Sequence, residues 1–187
     1  MHRLVTFIIV GSLTLSGSSA EQSRPKPPRG FHWQSLEAIH ASVLSPDGWK
    51  FKVEHPEGTF TYFISKEDID RKGEFKTGFT LSCIKNVSPR SNLSPSQYVE
   101  AFTKAADEKY SLIDPKTNTQ GPVKMIWFGY IDGTKSPAAI RVMDFLIASD
   151  KANTVYLIIF ESPLNEWKKA YAIGEVMLKN ILIDPDF

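Results

Sequence analysis

"TVYLIIFESPLNEWKKAYAIGEVMLKNI", residues 154–181, carries both periods on which the fold turns. Val155 to Phe160 is apolar on both faces, so this run reads as a central strand covered above and below. Leu164, Trp167, Tyr171, Leu178, Ile181 and Leu182 then recur at steps of three and four residues, the spacing of a helix with one buried face. Ser162 and Pro163 stand between the two. Serine is a favoured helix N-cap and proline suits the first helical position, where its missing N–H costs nothing. The alternative for Ser162, an exposed nucleophile at a strand-to-helix elbow, would want flanking glycines in G-x-S-x-G. Phe160 and Leu164 occupy those places, so the sequence predicts a cap. Gly174 is expected to let this helix approach the sheet closely.

Working back from that stretch, "NLSPSQYVEAF", residues 92–102, repeats the Ser-Pro start. Gln97 completes a capping box with Ser94, and Tyr98, Ala101, Phe102 and Ala105 are expected on one face of a helix ending near Tyr110. Between the helices lie "VKMIWFGYI", "AAIRVMDFLIA" and "NTVYLIIFE", separated by "DGTKSP" and "SDKA". Before them, from Leu36 to Leu44, Ile39, Ala41 and Val43 alternate with His40 and Ser42, the pattern of a half-buried strand. Trp49, Phe51 and Val53 alternate with Lys50, Lys52 and Glu54, and Phe60, Tyr62 and Ile64 carry a further strand. Tight turns at "SPDG" and "HPEG" make these an antiparallel meander. "SKEDIDRKGE", residues 65–74, interrupts the meander before "GFTLSCIKNV" resumes it. Two helices separated by hairpins can cover opposite faces of one sheet. The expected fold is therefore α+β, a three-layer α/β/α sandwich around a mainly antiparallel sheet of about six or seven strands.

Residues 1–20 have a basic start at His2 and Arg3, an apolar stretch from Leu4 to Leu15, and small residues through Ser18, Ser19 and Ala20 before Glu21. That is the pattern of a cleavable signal peptide. With Gly11 and Ser12 inside it, the stretch is too short for a membrane span. No cysteine follows the cleavage position, so a lipid anchor there is not expected, and the mature protein should be soluble in the periplasm or secreted. Residues 21–30, "EQSRPKPPRG", form a Pro-rich tether, and residues 31–187 a single domain. Removing Arg3 from 22 basic residues leaves 21 against 21 acidic ones. A balanced chain has no electrostatic reason to seek nucleic acid or anionic lipid.

Cys83 is the one cysteine, so an internal disulfide is excluded and the fold must rest on its hydrophobic core. In "FTLSCI" the thiol is expected to pack as a small hydrophobe. His32, His40 and His55 show no i, i+4 pairing of the kind zinc sites use. His55 with Glu54 and Glu57 gives an incomplete ligand set. Asp68, Asp70 and Gly73 fall at the first, third and sixth positions of a calcium loop, but Lys72 takes the fifth and Phe79 the twelfth, which breaks it. A short helical turn capped by Ser65, with Glu67, Asp68, Arg71 and Lys72 facing water, is expected instead. Arg141 and Asp144 interrupt an apolar strand and are expected to be charge-compensated in a structural pair. Asn86-Val87-Ser88 and Asn92-Leu93-Ser94 match glycosylation sequons, meaningful only in a eukaryotic secretory route. No phosphate cradle or dinucleotide fingerprint is present. No catalytic, cofactor-binding or metal residue is assigned.

The order "LSPDGWKFKVEHPEGTFTYFIS" (44–65), "TGFTLSCIKNV" (77–87), "LSPSQYVEAF" (93–102) and the closing stretch resembles the PsbP family, extrinsic proteins of the photosystem II oxygen-evolving complex and their bacterial homologues. The resemblance spans nearly the whole mature domain. It implies an antiparallel sheet between helices and a binding or assembly role; a eukaryotic relative of that fold binds the small GTPase Ran. A chloroplast transit peptide, a lipid-attachment cysteine and a long docking segment are missing, so a part in oxygen evolution is not implied. The expectation is an exported, non-enzymatic binding or accessory module with a protein partner. The alternatives are a small-molecule or lipid carrier with a pocket between sheet and helix, and a hydrolase with a non-standard site.

Overall fold

The computed structural model describes residues 24–56, 59–70, 74–134 and 138–183. The signal segment, Glu57, Arg71, Lys72 and Gly73 lie outside them. The alternating runs build an antiparallel seven-stranded sheet in the order β3-β4-β5-β9-β8-β7-β6. Its strands are β3 (Lys50–Glu54), β4 (Thr59–Ser65), β5 (Gly78–Lys85), β6 (Ile113–Gln120), β7 (Val123–Asp132), β8 (Ile140–Ser149) and β9 (Thr154–Pro163). β9 is central, as its doubly apolar run requires. A second sheet of three strands, β1 (Phe31–Leu36), β2 (Ala41–Pro46) and β10 (Ile181–Ile183), was not expected. The strand predicted from Leu36 to Leu44 is in fact a hairpin. A 3-10 turn over Glu37–Ile39 and His40 in the left-handed region (φ 45) reverse the chain, so that Leu36 pairs with Ala41.

Because strand side chains alternate between faces, β8 and β9 feed two cores. Tyr156, Ile158 and Phe160 enter one with Leu81, Ile64, Val43, Trp167 and Met177. Val155, Leu146 and Ala148 enter the other with Phe128, Ile126 and Val99. Helix α2 (Pro95–Lys109), preceded by the short α1 (Val87–Ser91), covers the second core; α3 (Trp167–Lys179) covers the first, wedged between β9 and β2. The α+β class and the antiparallel sheet stand as expected, while the α3 face is shared with the small sheet.

The two Ser-Pro steps diverge. Ser94 is the N-cap of α2 with both bonds of the capping box present: Gln97 N donates to Ser94 Oγ at 3.2 Å and Ser94 N to Gln97 Oε1 at 2.9 Å. The buried face of this helix is rotated from the expected one, with Val99, Phe102 and Ala106 turned inward and Ala101 and Ala105 exposed. Ser162 is not a cap. It pairs with Arg141 inside β9, and α3 starts five residues later behind Glu166. Pro163 is tolerated there because β5 ends its pairing with β9 at Glu161, so no neighbour on that side needs the proline's N–H. The ladder to β8 continues, Leu164 N donating to the Ala139 carbonyl at 2.9 Å. Gly174 behaves as expected, since a Cβ there would lie 2.7 Å from the Phe160 ring.

Candidate functional site

Two charges on β8 dominate the chemistry of the molecule. Arg141 and Asp144 are three residues apart on one strand, which sends them to opposite faces of the sheet. The expected compensating pair therefore cannot form. Among the described residues neither has an ion-pair partner of its own.

On the α3 face, the Arg141 guanidinium carbon lies 5.0 Å from the centroid of the Trp167 ring. Trp167 is stacked on Tyr171 at 4.8 Å and edge-on to Phe160 at 5.9 Å, so the indole has little freedom to turn. Nε of Arg141 is buried without an acceptor, and the side chain makes no hydrogen bond or ion pair among the described residues. A cation over an aromatic face is stabilised by the ring's quadrupole, but its donors still want oxygen. Cross-strand from Arg141 stands Ile131 on β7; on β9 its partner is Ser162, with Leu164 two residues further on. Ile131 and Leu164 are the two large hydrophobic side chains that stand exposed among the described residues, each at 42%.

On the α2 face, Asp144 is 1% exposed and its Oδ1 has no hydrogen-bond partner. Burial, followed by the negative charge of Glu161, pushes its carboxyl up to about 7. Its cross-strand neighbours are Phe128 and Ile159. Tyr130, two residues along β7, is raised well above the usual phenol by burial and then by Asp144. Tyr130 is stacked on Tyr110 at 4.3 Å, and the Tyr110 hydroxyl donates to Asp132 Oδ2 at 3.2 Å. Thr134 donates to Asp132 Oδ1 from its hydroxyl at 2.6 Å and its N–H at 2.9 Å. These bonds, the hydroxyl's first, hold the Asp132 carboxyl below the usual range. An open depression of about 450 Å³ beside them is lined by Lys109, Tyr110, Ile113, Ile131 and Thr134.

The other sequence candidates are structural. Ser162 is fully buried and its hydroxyl donates to the Pro163 carbonyl at 3.3 Å. Cys83 is fully buried, and burial pushes its thiol up to about 11, away from the reactive thiolate. Glu54 pairs with Lys52 at 2.7 Å while His55 lies edge-on to Phe60, so the two do not converge. Glu67 does not face water: Oε2 accepts from Ser65 Oγ, Lys76 N and Thr77 N at 2.9–3.1 Å, tying down the excursion. Phe79, at the twelfth position of the broken calcium motif, is core, and no cluster of three metal-ligating side chains occurs among the described residues. Asn86 and Asn92 flank α1 in the left-handed conformation, a role asparagine tolerates well. The second half of the tether lies against β1, the Trp33 indole donating to the Pro25 carbonyl at 2.7 Å.

Sequence reasoning missed that Arg141 and Asp144 part company, although the odd interval between them carried that signal. Ile131 was lost in an apolar run, and Leu164 was assigned to a helix face it does not join.

No family model and no curated protein matches the sequence. Solved structures do. The chain is similar to the cyanobacterial PsbP (CyanoP) of Synechocystis sp. PCC 6803, with a TM-score of 0.53 at 10% identity, covering 94% of this chain and 99% of that one. It is similar also to LpqN, involved in cell envelope biogenesis of Mycobacterium tuberculosis, with a TM-score of 0.50 at 13% identity over 78% and 83% of the two chains. A Bacteroides thetaiotaomicron protein aligns with a TM-score of 0.47 at 14% identity over 78% of this chain, which spans only 45% of that protein's length. The fold is PsbP-like. Among the described residues no helix is long and apolar enough to cross a membrane.

Proposed function

We propose that this chain is an exported, non-enzymatic binding or accessory module with the α/β/α layering of the PsbP fold. In this reading it is soluble after loss of residues 1–20 and engages a protein partner in the periplasm or cell envelope. The observation that carries it is the end of the β7-β8-β9 ladder, where Ile131 and Leu164 stand exposed on either side of Arg141. Isolated surface hydrophobics need no explanation, but apolar groups gathered around an aromatic-backed arginine are the composition of a protein interface. The mycobacterial neighbour's involvement in cell envelope biogenesis fits that compartment. A carrier would want an enclosed apolar cavity, whereas the depression described above is open. A hydrolase would want Ser162 in a hollow; its hydroxyl is engaged inside a strand.

The test is a photo-crosslinking amino acid at Ile131, expressed in the native host and activated in the intact envelope. A discrete crosslinked protein, missing when the probe sits at Lys104 on the outer side of α2, is the expected result. Equal labelling from both positions, or from neither, overturns the reading.

A further inference from the structure

Resting on that reading, we infer that the Arg141 site recognises a carboxylate side chain in an extended segment of the partner, with an apolar residue two positions before and two positions after it. The lone guanidinium supplies the first half of the inference. It is held face-on by Trp167, has no counter-anion among the described residues, and leaves a buried Nε without an acceptor. A carboxylate is the protein group whose two oxygens match a guanidinium fork. An acid arriving there would meet a guanidinium already oriented over the indole.

Spacing supplies the second half. Ile131 is directly cross-strand from Arg141, and Leu164, in the turn just past β9 with its N–H bonded to the Ala139 carbonyl, stands exposed two residues beyond Arg141's other partner, Ser162. Strands lie about 4.8 Å apart and rise about 3.3 Å per residue, which places the Ile131 and Leu164 backbones about 12 Å apart. Residues i−2 and i+2 of an extended chain are about 13 Å apart and point the same way. An apolar-x-Glu-x-apolar segment crossing the strand ends would set its acid near Arg141 and its flanking side chains on Ile131 and Leu164. A chain-terminal carboxylate, with residues on one side only, would leave one of the two aliphatic groups bare.

The experiment measures fluorescence polarisation of the full chain with a labelled, acetylated and amidated Gly-Leu-Thr-Glu-Thr-Leu-Gly peptide, and with the same peptide carrying Gln in place of Glu. The Glu peptide is expected to bind about tenfold more tightly than the Gln peptide, the loss typical of an interfacial charge pair with some solvent access. Arg141→Met, which keeps the apolar stem over Trp167, should bring the two peptides to equal affinity. Equal binding of the two peptides to the native chain, or discrimination that survives in Arg141→Met, overturns the inference; the peptide comparison needs no variant to fold. The crosslinking outcome at Ile131 is separate. A crosslinked partner without Glu/Gln discrimination keeps the binding role and discards the carboxylate, whereas discrimination without a crosslink does the reverse.

Discussion

Replacing Asp144 with asparagine removes a buried acid while keeping its shape. The carboxyl titrates from about 3.8 in the unfolded chain to about 7 in the fold, because the side chain is 1% exposed and faces Glu161. Between those values the folded protein keeps a proton that the unfolded chain has released. Stability from this group is therefore full below the unfolded value of about 3.8, declines as the pH rises from there towards 7, and is flat above it. At about 1.4 kcal/mol per pH unit, the interval of about three units corresponds to roughly 4 kcal/mol. Other groups, Asp132 among them, titrate in the opposite sense, so the informative quantity is the difference between variant and native protein. Urea unfolding followed by tryptophan fluorescence at pH 4.5 and pH 8 should show Asp144→Asn gaining a few kcal/mol on the native chain at the higher pH. A difference that changes by less than about 1 kcal/mol between the two pH values refutes the argument.

Gly174→Ala should destabilise by about 1–3 kcal/mol despite alanine's better helix propensity, because the new methyl meets the Phe160 ring at 2.7 Å; a neutral or stabilising result in thermal unfolding would show that the ring can move aside. Ser94→Ala should cost about 1 kcal/mol through loss of the capping box, whereas Ser162→Ala should leave α3 helicity unchanged by circular dichroism, since Ser162 caps nothing. Cys83, with its thiol raised to about 11 and no exposure, should resist a thiol reagent in native buffer at pH 8 and react fully in denaturant; rapid native labelling would contradict its packing.

What was legible in the sequence follows from which residues had only one structural reading. Ser94, Pro95 and Gln97 satisfy a local geometry that needs nothing beyond four residues, and the helix starts where they put it. Ser162-Pro163 offers the same letters, but tertiary pairing to β8 extends the strand through them, a competition between local cap and ladder that no window of residues displays. β6, "IDPKTNTQ", was missed because it is an edge strand, polar on both faces and, among the described residues, paired with β7 alone. β10 was missed because three residues cannot show a period, and Ile181 and Leu182 happen to continue the helical spacing of α3. Of the candidate site, the charges on β8 could be seen but their faces were not followed. The exposed aliphatic side chains around Arg141 could not be told from core ones, since burial is set by what the rest of the fold leaves uncovered.

β2 is held between β1, its sequence neighbour, and β10, which pairs Ile181 with Val43 across almost the whole described chain. Closing so long a loop is entropically slow to achieve, so a nascent chain still waiting for residues 181–183 leaves Ala41–Pro46 with one flank unzipped. A chain shortened before Ile181 would leave the backbone N–H and C=O groups along that flank of β2 unpaired, an open template for a strand from another molecule.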